Sequence, residues 1–167
     1  RCWVGINTSL PNKLIRNLIE ANCLEKQLGV IASIKPEVKY GLEGKSRIDL
    51  LLEPKSSNSD NRKIYIEVKN TTWCDDSLAL FPDTVTIRGQ KHLRELIGVC
   101  PNSRAVLIPC ISRSDMDIFA PADSADPLYG DLFRKALSNG IEVIPCSFGF
   151  FNDHITWEGV KPFKRFQ

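Results

Sequence analysis

Apolar side chains in TSLPNKLIRNLIEANCLEKQLG, residues 8–29, recur at 14, 15, 18 and 19. This helical period, with Ser9 as candidate N-cap and Gly29 as the stop, predicts an amphipathic helix. From residue 30 the period falls to two. Residues 30–40, 46–53 and 63–70 read as three strands, separated by turn chemistry in GLEGK and by the polar connector PKSSNSDN, expected to form a mobile hairpin loop. DTVTIRGQKHLRELIGVC returns to the helical period, with Asp83 as the expected cap and Val85, Leu93, Leu96 and Ile97 turned inward. RAVLIPCI predicts a fourth strand, the polar stretch 112–126 a connection, and PLYGDLFRKALSNG a third helix from Pro127 to a C-cap at Gly140. IEVIPCSF predicts a fifth strand, and the phenylalanine-rich tail is expected to pack back on the domain with a short strand at HITWEG. The order α-β-β-β-α-β-α-β predicts an α/β fold: a mixed sheet flanked by helices, with its later strands reached by helical crossovers.

Two of these strands place charge where a buried strand should be apolar. In IYIEVKN, Ile64, Ile66 and Val68 share one face and Tyr65, Glu67 and Lys69 the other. In SRIDLLLE, Ile48, Leu50 and Leu52 form the apolar set, with Arg47, Asp49 and Leu51 opposite. A hairpin of the two strands would bring Asp49 beside Glu67. Adjacent carboxylates repel and raise each other's proton affinity unless a cation lies between them. On this reasoning, removing either charge should relieve strain in the metal-free protein. Oxygen-only ligation by few protein groups suits Mg²⁺ or Mn²⁺, which retain water and take substrate phosphate oxygens as further ligands. Lys69, one pleat beyond Glu67, is placed to orient or deprotonate a water, or to offset charge on a phosphate.

Composition bounds the partners. The chain has 167 residues, 43% hydrophobic and 25% charged, which suits one globular domain over residues 1–167. A net charge of +2 excludes attraction of a polyanion by the whole-molecule field, so any such contact needs a local patch. No apolar run reaches the roughly 18 residues of a membrane span, so a soluble protein with no membrane partner is expected. Six cysteines without a CxxC pair suggest reduced thiols in an intracellular compartment. The first residue is Arg1, so a processed or trimmed chain, or a fragment of a longer one, is expected.

The segments VGINTSLPN, SRIDLLLE, IYIEVKN, FPDTVTIRGQKHLRELI, RAVLIPC and PLYGDLFRKALSNGIEV, in that order and over nearly the whole chain, resemble the motifs of the sugar fermentation stimulation protein A family. The resemblance implies that family's C-terminal domain, similar to the restriction-endonuclease-like PD-(D/E)XK nuclease fold. Asp49 then matches the motif aspartate, and Glu67-Val68-Lys69 matches its ExK. The implied catalytic set is Asp49, Glu67 and Lys69. The implied metal ligands are Asp49, Glu67 and the Val68 backbone carbonyl, with Glu20 as the candidate first-helix acid. Bacterial members carry an OB-like domain ahead of the VGINTSLPN position, and this chain begins almost there. The long connector hints at a eukaryotic relative, for which a plastid or mitochondrion would be the expected compartment.

The remaining polar positions divide between binding and bland roles. Arg88, Lys91 and Glu95 fall along one side of the second helix, with Arg94 adjoining, and a cationic side beside the carboxylates would suit a phosphate backbone. The family's RGQKH motif makes Arg88, Gln90 and Lys91 nucleic-acid candidates, together with Arg47. Asn7 and Asn12 are candidate helix caps, Trp73 a core residue or a base-stacking platform, and His92 a satisfied surface or core histidine. Asp123 and Asp126 of PADSADP are read as a turn and an N-cap. The functional expectation is a metal-dependent nuclease acting on DNA or RNA. The alternative is a nucleic-acid-binding regulator of sugar-metabolism genes with little or no cleavage, and a third reading is a partner-binding domain with a vestigial site.

Overall fold

The computed structural model describes residues 2–41, 44 and 46–165. Helices α1 (Leu10–Glu20) and α2 (Glu25–Leu28) lead into strands β1 (Ile31–Tyr40), β2 (Ser46–Pro54) and β3 (Ile64–Thr71). Two short strands, β4 (Trp73–Asp75) and β5 (Leu78–Phe81), precede α3 (Ile87–Val99). Then come β6 (Arg104–Ile111), β7 (Ile118–Pro121), α4 (Pro127–Ser138), β8 (Glu142–Val143), β9 (Cys146–Phe150) and β10 (Ile155–Val160). The mixed α/β architecture is the expected one. A seven-stranded sheet runs β1-β2-β3-β6-β9-β10, with β8 also paired to β6. β1, β2 and β3 pair antiparallel, β3, β6 and β9 parallel through the crossovers of α3 and α4, and β10 returns antiparallel.

Helices cover both faces of this sheet. On one, Ile15, Leu18 and Ile19 of α1 pack with Leu50, Leu52, Ile64, Ile66 and Val68. On the other, Leu93 and Leu96 of α3 and Tyr129, Phe133 and Ala136 of α4 pack with Ile48, Leu51, Ala105 and Leu107. Each fully buried aliphatic side chain contributes about 1.5–3 kcal/mol, so the packed layers hold the central strands rigidly. Among the described residues no helix is long and apolar enough to cross a membrane. The six cysteines are free, with Cys110 and Cys146 buried on adjacent strands.

Several expectations change in detail. Residues 73–81, between the expected third strand and second helix, and 118–121, within the expected connection, form a separate three-stranded sheet, β4-β5-β7. These strands are three or four residues long, too short to show a period. Thr86, three residues beyond Asp83, caps α3 by accepting from the Gly89 N–H at 3.1 Å, and Val85 is exposed instead of inward. Ser9 holds the N-cap position of α1 without a side-chain cap bond; Asn7 Oδ1 instead accepts from Ser9 N and Oγ. Of the GLEGK turn, Leu42, Glu43 and Lys45 lie outside the described residues.

The apolar alternation of β2 also breaks at one residue. Ile48 packs with Leu51 on the α3 side, whereas Leu50 and Leu52 face α1, so Ile48, Leu50 and Leu52 do not form one face. The turnover falls at Asp49. In the β1–β2 register Pro36↔Leu50 and Val38↔Ile48 bracket it, and between them Glu37 has φ +53°, an uncommon conformation for a residue with a side chain. On the other edge the β2–β3 register begins at Leu50↔Ile66.

Candidate active site

Because the β2–β3 ladder stops at Leu50↔Ile66, the next step along both strands is Asp49 and Glu67. Asp49 takes the place of a ladder acceptor: its Oδ2 accepts from the Val68 N–H at 2.7 Å. Its Oδ1 accepts from Asn12 Nδ2 of α1 at 2.9 Å. Both oxygens are thereby oriented from two elements. Glu67 is only 2% exposed and is held from the opposite face. Its Oε1 accepts from Lys69 Nζ at 2.7 Å and from Nδ1 of His92 on α3, which requires the His92 proton on Nδ1. The 3.2 Å between Lys69 Nζ and His92 Nδ1 is therefore a contact between two donors that share one acceptor. Lys69 also lies 5.9 Å from the Phe81 ring centroid.

The electrostatics of the two acids differ. Burial, then the charge of Glu67, pushes the Asp49 carboxyl above its ordinary value, against the hydrogen bonds from Val68 and Asn12 and the charge of Lys69. Burial acts on Glu67 in the same sense, but the hydrogen bond from His92 and the charge of Lys69 outweigh it and hold this carboxyl below its usual range. The expectation of two unpaired, mutually strained anions is thus right for Asp49 and wrong for Glu67, which has two basic partners.

Glu67 Oε2 is buried without a hydrogen-bond partner. An orphaned buried carboxylate oxygen is uncommon and fits a hard cation or a water. Among the described residues no three His, Cys, Asp or Glu side chains are gathered to cage an ion. A cation beside Asp49 and Glu67 would therefore draw its other ligands from backbone, water or substrate, the arrangement that suits an ion retaining several waters. Val68 follows Glu67 directly in sequence and contacts Asp49 through its N–H.

Arg47, Arg88 and Lys91 come together around an open cleft of about 600 Å³, lined also by Glu37, Ser46 and Ile87, with His92 in its wall. Three of the four expected nucleic-acid residues are therefore neighbours. Gln90 is not among them: it points inward, buried, and its Nε2 donates to both oxygens of Asp126 at 3.1 and 3.0 Å. The helical period explains this, since Gln90 is two residues from Arg88 and so faces away from it. Glu20 is likewise removed from the ligand set. It is exposed at the end of α1, where its Oε1 accepts from Arg16 at 2.8 Å. Arg94 is exposed, and Glu95 is held by Ser46 Oγ, which donates at 2.6 Å. Trp73 is half-buried beside a pocket of about 220 Å³ that Asn70 and Phe81 also line.

Two residues of the site escaped the sequence reading. Asn12, read as a cap, reaches 37 positions along the chain to Asp49, and no local pattern reports that. His92 is a satisfied buried histidine as expected, but the group that satisfies it is Glu67. Its position four residues after Arg88, on the same helix side, was the available signal.

The Sugar fermentation stimulation protein RE domain matches residues 9–154. The sugar fermentation stimulation protein homolog of Prochlorococcus marinus strain NATL2A is 74% identical over 165 residues, covering 99% of this chain and 64% of its own length. That of strain NATL1A is 76% identical, covering 98% and 65%. The chain thus spans somewhat less than two thirds of these relatives. Both are bacterial, so the long connector does not require a eukaryotic source. The solved SfsA of Pyrococcus furiosus, in complex with Ca²⁺, superposes with a TM-score of 0.83 at 27% identity, over 95% of this chain and 66% of that one, and its fold is nuclease-like. A family model over residues 9–154 and relatives of this identity over nearly the whole chain leave one assignment: the chain belongs to the sugar fermentation stimulation protein family.

Proposed function

We propose that this domain is a divalent-metal-dependent nuclease that hydrolyses phosphodiester bonds in DNA or RNA. The observation that carries the reading is the pair of carboxylates at the end of the β2–β3 ladder, one with an orphaned buried oxygen, beside Lys69 and joined through His92 to the wall of a cationic cleft. Asp49 and Glu67, with the Val68 carbonyl, would hold Mg²⁺ or Mn²⁺; the Ca²⁺ complex of the archaeal relative supports a divalent ion. When bound, the ion supplies polarisation of a phosphoryl oxygen and a lowered pKa for water. The protein's own groups do the rest. Asn12 and the Val68 N–H fix the Asp49 carboxylate, and His92 fixes Glu67 from α3. Lys69, already charge-paired at the site, would orient the attacking water or neutralise charge on the phosphate. Arg47, Arg88 and Lys91 would seat the backbone of the strand.

One feature favours the second reading, a nucleic-acid-binding regulator with little cleavage: Lys69 is engaged by Glu67 at 2.7 Å, which leaves it less available to a water. Labelled single- and double-stranded DNA and RNA, incubated with Mg²⁺, Mn²⁺, Ca²⁺ or EDTA, separate the two. Cleavage of at least one substrate with Mg²⁺ or Mn²⁺ is expected, lost with EDTA and in Asp49→Asn. Binding to nucleic acid without cleavage under every metal would give the regulator reading the lead.

A further inference from the structure

The cationic cleft contains one side chain that its neighbours do not explain. Ile87, the first residue of α3, is 77% exposed, and it lines the cleft among Arg47, Arg88 and Lys91. Val85, two residues earlier, is 62% exposed, and Leu128 at the start of α4 is exposed as well. Single exposed apolar residues are ordinary on a protein surface. Three of them around one rigid junction, with Ile87 in the lining of a basic cleft, are not scattered.

The junction is the buried Asp126, 1% exposed. Its Oδ2 accepts from the Thr86 N–H at 2.9 Å and its Oδ1 from the Tyr129 N–H at 3.0 Å, so the first turns of α3 and α4 are tied to one carboxylate. Gln90 donates to the same carboxylate, and Thr86 accepts from Gly89. Val85 and Ile87 flank this fixed Thr86. Both are β-branched, with a stiff first side-chain torsion, so little conformational freedom remains to be lost when they meet a partner.

We propose that Ile87, supported by Val85 and Leu128, is an apolar wedge that enters between adjacent bases of the nucleic acid whose phosphates Arg47, Arg88 and Lys91 hold. This rests on the reading of the cleft as a phosphate-backbone site. The cations select a polyanion, and the exposed aliphatic group selects one whose charged backbone lies beside flat apolar faces. Nucleic acid meets both conditions. Apolar side chains inserted at a base step partly unstack it and kink the helix, and the cationic contacts along the bent backbone compensate the lost stacking. A lipid surface meets the charge condition but is too broad to enter a concave cleft of about 600 Å³.

The test uses duplex DNA carrying the fluorescent base 2-aminopurine at successive positions, bound in Ca²⁺ to limit cleavage. The wild-type chain should raise the fluorescence at one step, reporting lost stacking. Ile87→Ser should abolish that rise and weaken binding roughly tenfold, as for loss of a stacking contact, while the slope of log affinity against log salt stays unchanged because no cation is removed. The residue is exposed, so the variant should melt with the wild type, which the same samples can confirm. If wild type binds with a salt-dependent affinity but shows no unstacked position, or if Ile87→Ser unstacks equally well, the wedge is wrong and the cleft reading survives. If wild type binds no nucleic acid, the cleft reading itself fails and the wedge fails with it. A wild type that sediments as a dimer beside a monomeric Ile87→Ser would make the residue a self-association contact and overturn the wedge.

Discussion

Replacing Asp49 by Asn removes a charge that its surroundings disfavour, whereas replacing Glu67 by Gln removes one that two basic groups depend on. The raised Asp49 carboxyl means that its ionisation costs stability once pH passes its unfolded value of about 3.9, and the cost is complete above the folded value. Asp49→Asn should therefore melt at or above wild type at neutral pH without metal. Glu67→Gln leaves Lys69, whose side chain is 13% exposed, without its anion and should lose about 3 kcal/mol, the lower end for breaking a buried pair. Thermal melts in EDTA at pH 7 decide this; two variants shifted in the same direction would contradict the asymmetry of the site. Lys69→Ala gives a second measurement. It should leave metal affinity by calorimetry nearly intact while lowering any cleavage by about 10²–10⁴-fold, the range for a removed acid–base or electrostatic group. Wild-type cleavage in that variant would make Lys69 only the counter-ion of Glu67.

At the scale of elements, one buried carboxylate organises the two helices that carry the cationic and apolar rim. Asp126 caps α4 through Tyr129 and receives the Thr86 N–H and the Gln90 amide. Burial alone would raise its pKa, but these hydrogen bonds outweigh burial and hold it below the ordinary value. A depressed folded pKa contributes stability that is present above the unfolded value of about 3.9 and is lost as pH falls through the folded one. Asp126→Asn keeps the shape but not the charge, so it should cost about 2 kcal/mol at pH 7. That difference should shrink as pH falls below about 4. Urea denaturation of both proteins across this pH range checks the sign; a difference independent of pH would mean that the charge of Asp126 contributes nothing.

Across the whole molecule a formal net charge of +2 supplies almost no long-range attraction, so the arrangement of cations must do what their number does not. Arg88→Ala with Lys91→Ala should weaken nucleic-acid binding and reduce the slope of log affinity against log salt by about 1.8, two phosphate contacts at ~0.9 each. An unchanged slope would place the backbone elsewhere on the surface. The order of the principal elements, the mixed sheet and the placement of Lys69 beside Glu67 were all readable along the chain, because period-two and period-3.6 patterns are properties of consecutive residues. So were Asp126 as a cap and the inward faces of α1 and α3, apart from Val85. Other features depend on residues far apart in sequence. Asn12 meets Asp49 only because α1 packs across β2 and β3, and His92 meets Glu67 only because α3 covers the opposite face. β2 changes faces at Asp49, where its carboxylate takes the Val68 N–H and the opposing Glu37 has φ +53°, and a strict alternation cannot foresee that exchange. Gln90 and Glu20 carried site roles in the sequence reading, yet one is drawn into Asp126 and the other into Arg16. Sequence alone therefore determined which charges enter the sheet. Tertiary packing decided which of them are paired, which oxygen is left without a partner, and which cations gather around one cleft, since those outcomes depend on helices closing over both faces of the strands.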